Sequence, residues 1–359
     1  MHRPERPDRA ALGSCGLPGA AALHGPYGEE GGLGPRFRLG IFCTLDHHDL
    51  DGLTTAARLR AAVEEAVQAE RCGLESFWIA EHHFAAYGLA ADPALLLSAI
   101  AERTGRLRLG TAVTVLPFHH PLRLAERFAL LDQLSGGRVE FGVGSGYLQH
   151  EFQGFGVDPA ERRARFDEAL EIIRTAWRGG ALRHEGAHFR IEAPPLNVLP
   201  LQPGGPPVHI GVTRPEAAPH VGRKGLALST VPYIRMRSLA AFAAAVAGYR
   251  AALPPGAPGG VTAAVHVFCT AGPGDPARDL AEAALDRYLR TRVVPGARYG
   301  GEPAARDFVL FGDAAEVRAG LLRLAGAGAD RILAITRFGG LDSDAARASV
   351  ARLGALAAG

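Results

Sequence analysis

The feature that most constrains this chain is an alternation that begins at Phe37 and runs almost to the end. Short apolar runs recur at 37–43, 76–80, 107–115, 138–144, 208–212, 226–229, 261–269 and 332–336. Longer amphipathic stretches lie among them at 54–71, 121–134, 160–177, 236–252 and 314–325. Near-continuous apolar strands separated by helices indicate a parallel sheet covered on both sides. Eight candidate strands favour an α/β fold closed as a single (β/α)8 barrel, with an open doubly wound sheet as the alternative. A weak internal echo points the same way. Glu70-Arg71-Cys72-Gly73-Leu74, His220–Gly225 and Ala325–Ala329 each end a helix, place a glycine and return to an apolar run. Glycine there is the left-handed cap that sends the chain back into a strand. In such a barrel the chemistry sits on loops after the carboxyl ends of the strands.

Composition narrows the partners. The chain has 359 residues and a net charge of +2, with no Lys/Arg run and 7% aromatics, so nothing marks a nucleic-acid or anionic-membrane surface. No uncharged apolar stretch reaches the roughly 18 residues a membrane-spanning helix needs. Residues 1–35 hold 8 Gly and 5 Pro, with Tyr27 their one aromatic side chain. Such a segment cannot bury enough surface to offset its ordering entropy. It reads as a disordered extension, or as sequence upstream of a true start near Phe37, with the barrel over 36–359. It lacks the apolar block of a secretory signal. Four scattered cysteines without a CxxC read as reduced thiols in a cytoplasmic protein. Two stretches break the alternation: 180–207, with a candidate hairpin at Leu182–Ile191 and a Pro-rich run Pro194–Pro207, and 292–312, which ends before a candidate N-cap, Asp313. Both are candidate rim loops or covers.

Several segments carry chemistry. Glu81-His82-His83-Phe84 follows the second strand and sets two imidazoles beside a carboxylate, which suits acid–base work. There is no HExxH, and His119-His120 belongs to another loop, so a metal site has little support. Either imidazole alone would also serve as a rim hydrogen-bonding group. The third strand ends in small residues, and Gly142-Val143-Gly144-Ser145-Gly146 ends the fourth. Those glycines open the backbone to a ligand or a tight turn, but do not form a dinucleotide fingerprint. Thr213-Arg214-Pro215-Glu216 sets a proline in a first helical turn, giving either an anion site or ordinary capping by Thr213.

In order, the segments FRLGIF, GLESFWIAEHHF, RLRLGTAVTVLPFHHPLRLAERF, LLDQLSGGRVEFGVGSGYLQHEFQGFGVDP and PVHIGVTRPEA resemble the bacterial luciferase-like family of flavin-dependent monooxygenases. The resemblance is close from Phe37 to Leu228 and looser over Ala314–Thr336. It implies a (β/α)8 barrel, reduced FMN supplied by a separate flavin reductase, molecular oxygen as co-substrate, a small organic substrate and a homodimer. His82 matches the family's histidine beside the flavin ring. Ala112 and Val113 match the small pair behind the ring, where a cis peptide bond is expected. Ser145, Gly146 and Tyr147 match the ribityl and phosphate region, Arg163 a phosphate-contacting arginine, and Thr213 and Arg214 the phosphate turn of the fifth strand. Some luciferases carry Arg where Ser145 stands, and Arg214 is the residue that would replace that charge. Branches that use a deazaflavin coenzyme for hydride transfer, or bind flavin without turnover, stay open. So does a metal-dependent barrel hydrolase from outside the family.

Overall fold

Twelve strands form in the computed structural model, which describes residues 37–47, 52–85, 88–236, 238–291 and 307–358. The expected extension, and most of the stretch proposed as a second cover, lie outside the described residues. The strands are β1 (Arg38–Cys43), β2 (Ser76–Ile79), β3 (Arg108–Thr111), β4 (Thr114–Val115), β5 (Val139–Gly144), β6 (Leu182–Glu185), β7 (Arg190–Ala193), β8 (Val208–Val212), β9 (Ala227–Thr230), β10 (Val261–Cys269), β11 (Val309–Gly312) and β12 (Arg331–Ile335). Eight of them close a parallel ring in the order β10, β12, β1, β2, β3, β5, β8, β9 and back to β10. The chain is therefore a (β/α)8 barrel, as the alternation implies. The third apolar run is two strands, β3 and β4, and the Ala112–Val113 peptide bond between them is cis.

Period-two alternation within the strands divides the core in two. Ile41, Phe77, Leu109, Phe141 and Ile332 point outward into the layer shared with the helices. Phe42, Trp78, Ala80, Ala264, Leu333 and Ile335 belong to a separate interior cluster. Trp78 fills the middle of the barrel, and a Cβ at Gly110 would overlap its ring. The helices begin and end where side chains dictate. Thr54 caps α1 (Thr55–Arg71) by accepting from the Ala57 amide at 3.2 Å. Asp313 and Glu316 form a full capping box at α9 (Ala314–Gly326). The glycine returns are present, with Gly73 at φ +78° and Gly225 at φ +67°. The remaining helices are α2 (Pro93–Ala101), α3 (Pro121–Ser135), α4 (Gln149–Phe155), α5 (Arg162–Trp177), α6 (Ala218–Arg223), α7 (Leu239–Ala251), α8 (Ala277–Thr291) and α10 (Ser343–Ala358). The apolar pattern alone does not announce α2, α4, α8 or α10.

One expectation is corrected. The Pro-rich run was expected at the rim, but it lies against the amino-terminal end of the barrel. Gln202 donates to the Val139 carbonyl at 2.9 Å and to Asp132 at 2.7 Å, and it accepts from Arg108 at 3.3 Å. The reason is connectivity: the run feeds Val208, which starts a barrel strand, and parallel strands all start at that end. The hairpin of β6 and β7 forms as expected and is clamped to α5 by Glu168, which accepts from His184 and from the Phe189 amide. Only its tip nears the opposite end, with the Phe189 ring 6.1 Å from His120 at the start of α3.

A buried charge network closes the barrel floor. Glu140 on β5 accepts from Arg331 on β12 at 3.1 Å, and also bonds Arg108 and His209. Arg331 additionally pairs with Glu75 and lies over the Trp78 ring at 5.2 Å. Burial opposes ionisation of Glu140, but Arg331, His209 and Arg108 hold its carboxyl well below the ordinary range. Breaking such a pair on one side leaves an uncompensated buried charge. We expect Glu140→Gln to lower the unfolding free energy by about 3–5 kcal/mol in urea titrations at pH 7. Because the folded pKa is depressed, this contribution is full above the ordinary glutamate pKa and is lost as pH falls through the folded value. The gap between wild type and variant therefore narrows in acid.

Candidate active site

The carboxyl ends of β2, β3 and β5 bring together a buried carboxylate–imidazole network. His82 and His83 leave β2 on a loop, and both are buried. His82 Nδ1 lies 3.0 Å from Glu151 on α4, and the same carboxylate oxygen accepts the His83 amide at 2.9 Å. Glu81 is shared by His83 at 3.0 Å and His119 at 2.7 Å, while its second oxygen accepts the Val115 amide. Burial works against a charge on Glu81, yet the bonds from His119, His83 and Val115 hold its carboxyl below the usual glutamate range. An ionised Glu81 only accepts, so His83 and His119 each present Nε2–H to it. Glu151 Oε1, which already accepts the His83 amide, is placed to accept Nδ1–H of His82 as well.

One half of the barrel mouth is walled by small residues. Ala80, Ala112, Gly144 and Gly211 stand at neighbouring strand ends, and the opposite half carries Phe42, Phe268, Ile335 and Phe338. Val113 explains two of the glycines, since a Cβ at Gly144 or Gly211 would press on its side chain. Gly142 is needed for another reason: a Cβ there would overlap the Thr111 carbonyl. Gly142 and Gly144, expected to open the backbone to a ligand, first serve strand packing. Buried hydroxyls of Thr44, just past β1, and of Thr114 have no hydrogen-bond partner among the described residues. A small-walled recess beside a buried imidazole has the shape for a flat ring.

The other expected residues divide. Tyr147 packs edge-on against His82, ring centroids 6.2 Å apart, and is half exposed. Ser145 and Gly146 form the turn before α4, with Gly146 at φ +76°. Arg163, in the first turn of α5, and Arg214, beside the short 3-10 turn at Pro215, are exposed and bond no side chain among the described residues. Both stand on the mouth side, where helices follow strands, but no contact joins them to His82. Thr213 does not cap: Arg214 precedes the 3-10 turn, and no side chain bonds its first amides. Sequence reasoning kept His119 apart from the Glu81 loop. Adjacent strands bring the two together. It also missed Glu151, whose signal was a single acid inside the LQHEF segment.

The sequence profile of the luciferase-like monooxygenase family matches residues 37–331. The chain belongs to that family. It is 43% identical over 111 residues to 4-hydroxyprotoasukamycin monooxygenase of Streptomyces nodosus subsp. asukaensis, covering 31% of this chain and 30% of that protein. It spans between 30% and 57% of the length of the curated relatives it matches first. Monooxygenase RslO1 from Streptomyces bottropensis superposes with a TM-score of 0.80 at 26% identity, over 89% of this chain and 98% of that one. The FMN-bound oxygenating constituent of 3,6-diketocamphane monooxygenase from Pseudomonas putida shares the fold, with a TM-score of 0.74 at 18% identity over 89% and 96%.

The network makes a structural demand that can be measured. Glu81→Gln removes the charge that orders two imidazoles and a backbone amide. We expect it to lower the unfolding free energy by about 1–3 kcal/mol, the cost of leaving buried partners unmet. Chemical denaturation at neutral pH reads this directly.

Proposed function

We propose that this luciferase-like protein is a two-component flavin-dependent monooxygenase acting on a small organic substrate. The observation that carries the reading is the buried His82–Glu151 pair at the small-residue half of the mouth. Reduced FMN arrives from a separate flavin reductase, and a diffusible reduced cofactor sets the pair in the cytoplasm. The flavin supplies two electrons, so that one atom of dioxygen enters the substrate and the other leaves as water. Ala112, Val113 and Gly144 would back its ring, Ser145, Gly146, Tyr147 and Thr213 would border its side chain, and Arg163 and Arg214 would hold its phosphate. His82 holds or returns the proton at Nε2, while Glu151 orients it. The aromatic half of the mouth excludes water, which strengthens every polar contact inside.

Anaerobic titration with reduced FMN, followed by fluorescence, tests the cofactor. Arg163→Ala and Arg214→Ala are each expected to weaken binding by about tenfold or more, the scale of a lost charge-assisted bond. His82→Ala should keep the affinity of the wild type. Incorporation of 18O from labelled dioxygen into a probe set of a terpene, a cyclic ketone and a long-chain aldehyde should then fall by about 10²–10⁴-fold. Binding of a deazaflavin coenzyme in place of reduced FMN would move the protein to hydride transfer. Flavin binding with no label in any probe, and no substrate-dependent oxygen uptake, favours a non-catalytic flavin carrier.

We further propose a homodimer through α2 and α3, which pack side by side and expose Leu95, Leu130 and Leu134. Leu130 and Leu134 are one helical turn apart and share a face. Leu134→Glu should convert the dimer to monomer in sedimentation velocity, without unfolding it.

A further inference from the structure

Three segments meet at the buried Glu81 carboxylate. Oε2 accepts the Val115 amide at 3.0 Å, and Oε1 accepts from His83 Nε2 at 3.0 Å and from His119 Nε2 at 2.7 Å. Val115 ends β4, and the Glu81 amide itself donates to the Val113 carbonyl at 3.4 Å. His83 follows His82, and its amide donates to the Glu151 oxygen that lies 3.0 Å from His82 Nδ1. A continuous run of hydrogen bonds therefore joins His119 to the Val113–Val115 wall in one direction and to His82 in the other. His119 is the member that comes from outside. It follows the 3-10 turn Leu116–Phe118 and leads into α3, and its one side-chain hydrogen bond among the described residues goes to Glu81.

The His119 contact is the shortest of the three, and its side chain is 18% exposed against 1% for Glu81. Burial opposes a charge on Glu81, and the His119 bond leads the interactions that hold its carboxyl below the glutamate range. Without that donor, a buried acceptor oxygen is under-bonded, and the carboxylate is free to turn toward the two donors that remain. Val115 and His83 then follow it. We propose that His119 is a positioning residue for the flavin-dependent reaction put forward above: through Glu81 it sets the Val113–Val115 wall, and through His83 and Glu151 it sets the place of His82. The inference rests on that reading of the site. Its leverage comes from precision, because misplacing a reacting group by about 1 Å can cost about 100-fold in rate.

Two variants of the full chain test this. His119→Ala removes the donor, and His119→Gln returns a neutral N–H donor on a side chain of similar reach. His119→Ala is expected to weaken reduced-FMN binding about tenfold in anaerobic fluorescence titration. At saturating reduced FMN it should lower oxygen uptake with the cyclic ketone or aldehyde probe about 10–100-fold. The induced circular dichroism of bound FMN, which reads how the ring is seated, should change in His119→Ala and return in His119→Gln. In the flavin-free chain, hydrogen–deuterium exchange should quicken at the Val115 and His83 amides in His119→Ala alone. Glu70→Gln, which loosens the Gly105, Arg106 and Leu107 amides at the far end of α1, controls for a plain loss of stability and should leave every reading at the wild-type value. Faster exchange with unchanged FMN binding and uptake reduces His119 to a scaffold role and overturns the proposal. So do losses that His119→Gln does not restore, or losses that Glu70→Gln reproduces. A wild type that binds no FMN overturns the flavin reading and this inference with it, whereas FMN bound and turned over alike by wild type and His119→Ala overturns this inference alone.

Discussion

Arg331 and Glu140 meet across the barrel axis, and most of the interior is arranged around that contact. In the ring, β12 and β5 stand four strands apart, as far as an eight-stranded circle allows. A pair at 3.1 Å between them therefore staples opposite walls. An isolated charge at that depth would be very costly, so the neighbours are conscripted: Arg108 and His209 share Glu140, Glu75 shares Arg331, and Trp78 takes the guanidinium on its face. The tryptophan in turn requires a missing side chain at Gly110. The floor is thus filled by polar and aromatic groups, and the recess is left at the other end.

The same device recurs at the mouth. Glu81 and Glu151 are buried acids whose acceptor capacity is spent on imidazoles and backbone amides. On the floor this arrangement only holds strands together. At the mouth it orders His82, His83 and His119 beside the small-residue recess. The neighbouring glycines also serve two ends. Gly144 and Gly211 admit Val113, and the wall they leave is flat.

Much of the fold was legible because each barrel strand carries its own signal: an apolar run bounded by turns, readable without knowing its neighbours. Val208–Val212 and Val261–Cys269 coincide with their runs to the residue. The EHHF loop was legible because its chemistry is local. His119 was not. Its pairing with Glu81 depends on two loops meeting at adjacent strand ends, 38 residues apart in sequence. The Pro-rich run failed for a related reason: composition says loop, and only connectivity says at which end of the barrel it lies.

Alone, the sequence determined the (β/α)8 architecture, the glycine returns, the cap at Asp313 and the candidacy of His82, since all follow from short-range periodicity, backbone preference and residue chemistry. The tertiary structure alone decided that Glu140 faces Arg331 and that Glu151 stands behind His82. Those are contacts between residues 191 and 69 positions apart in the chain. Burial makes them energetic, and burial is a property of the packed barrel and of no single segment.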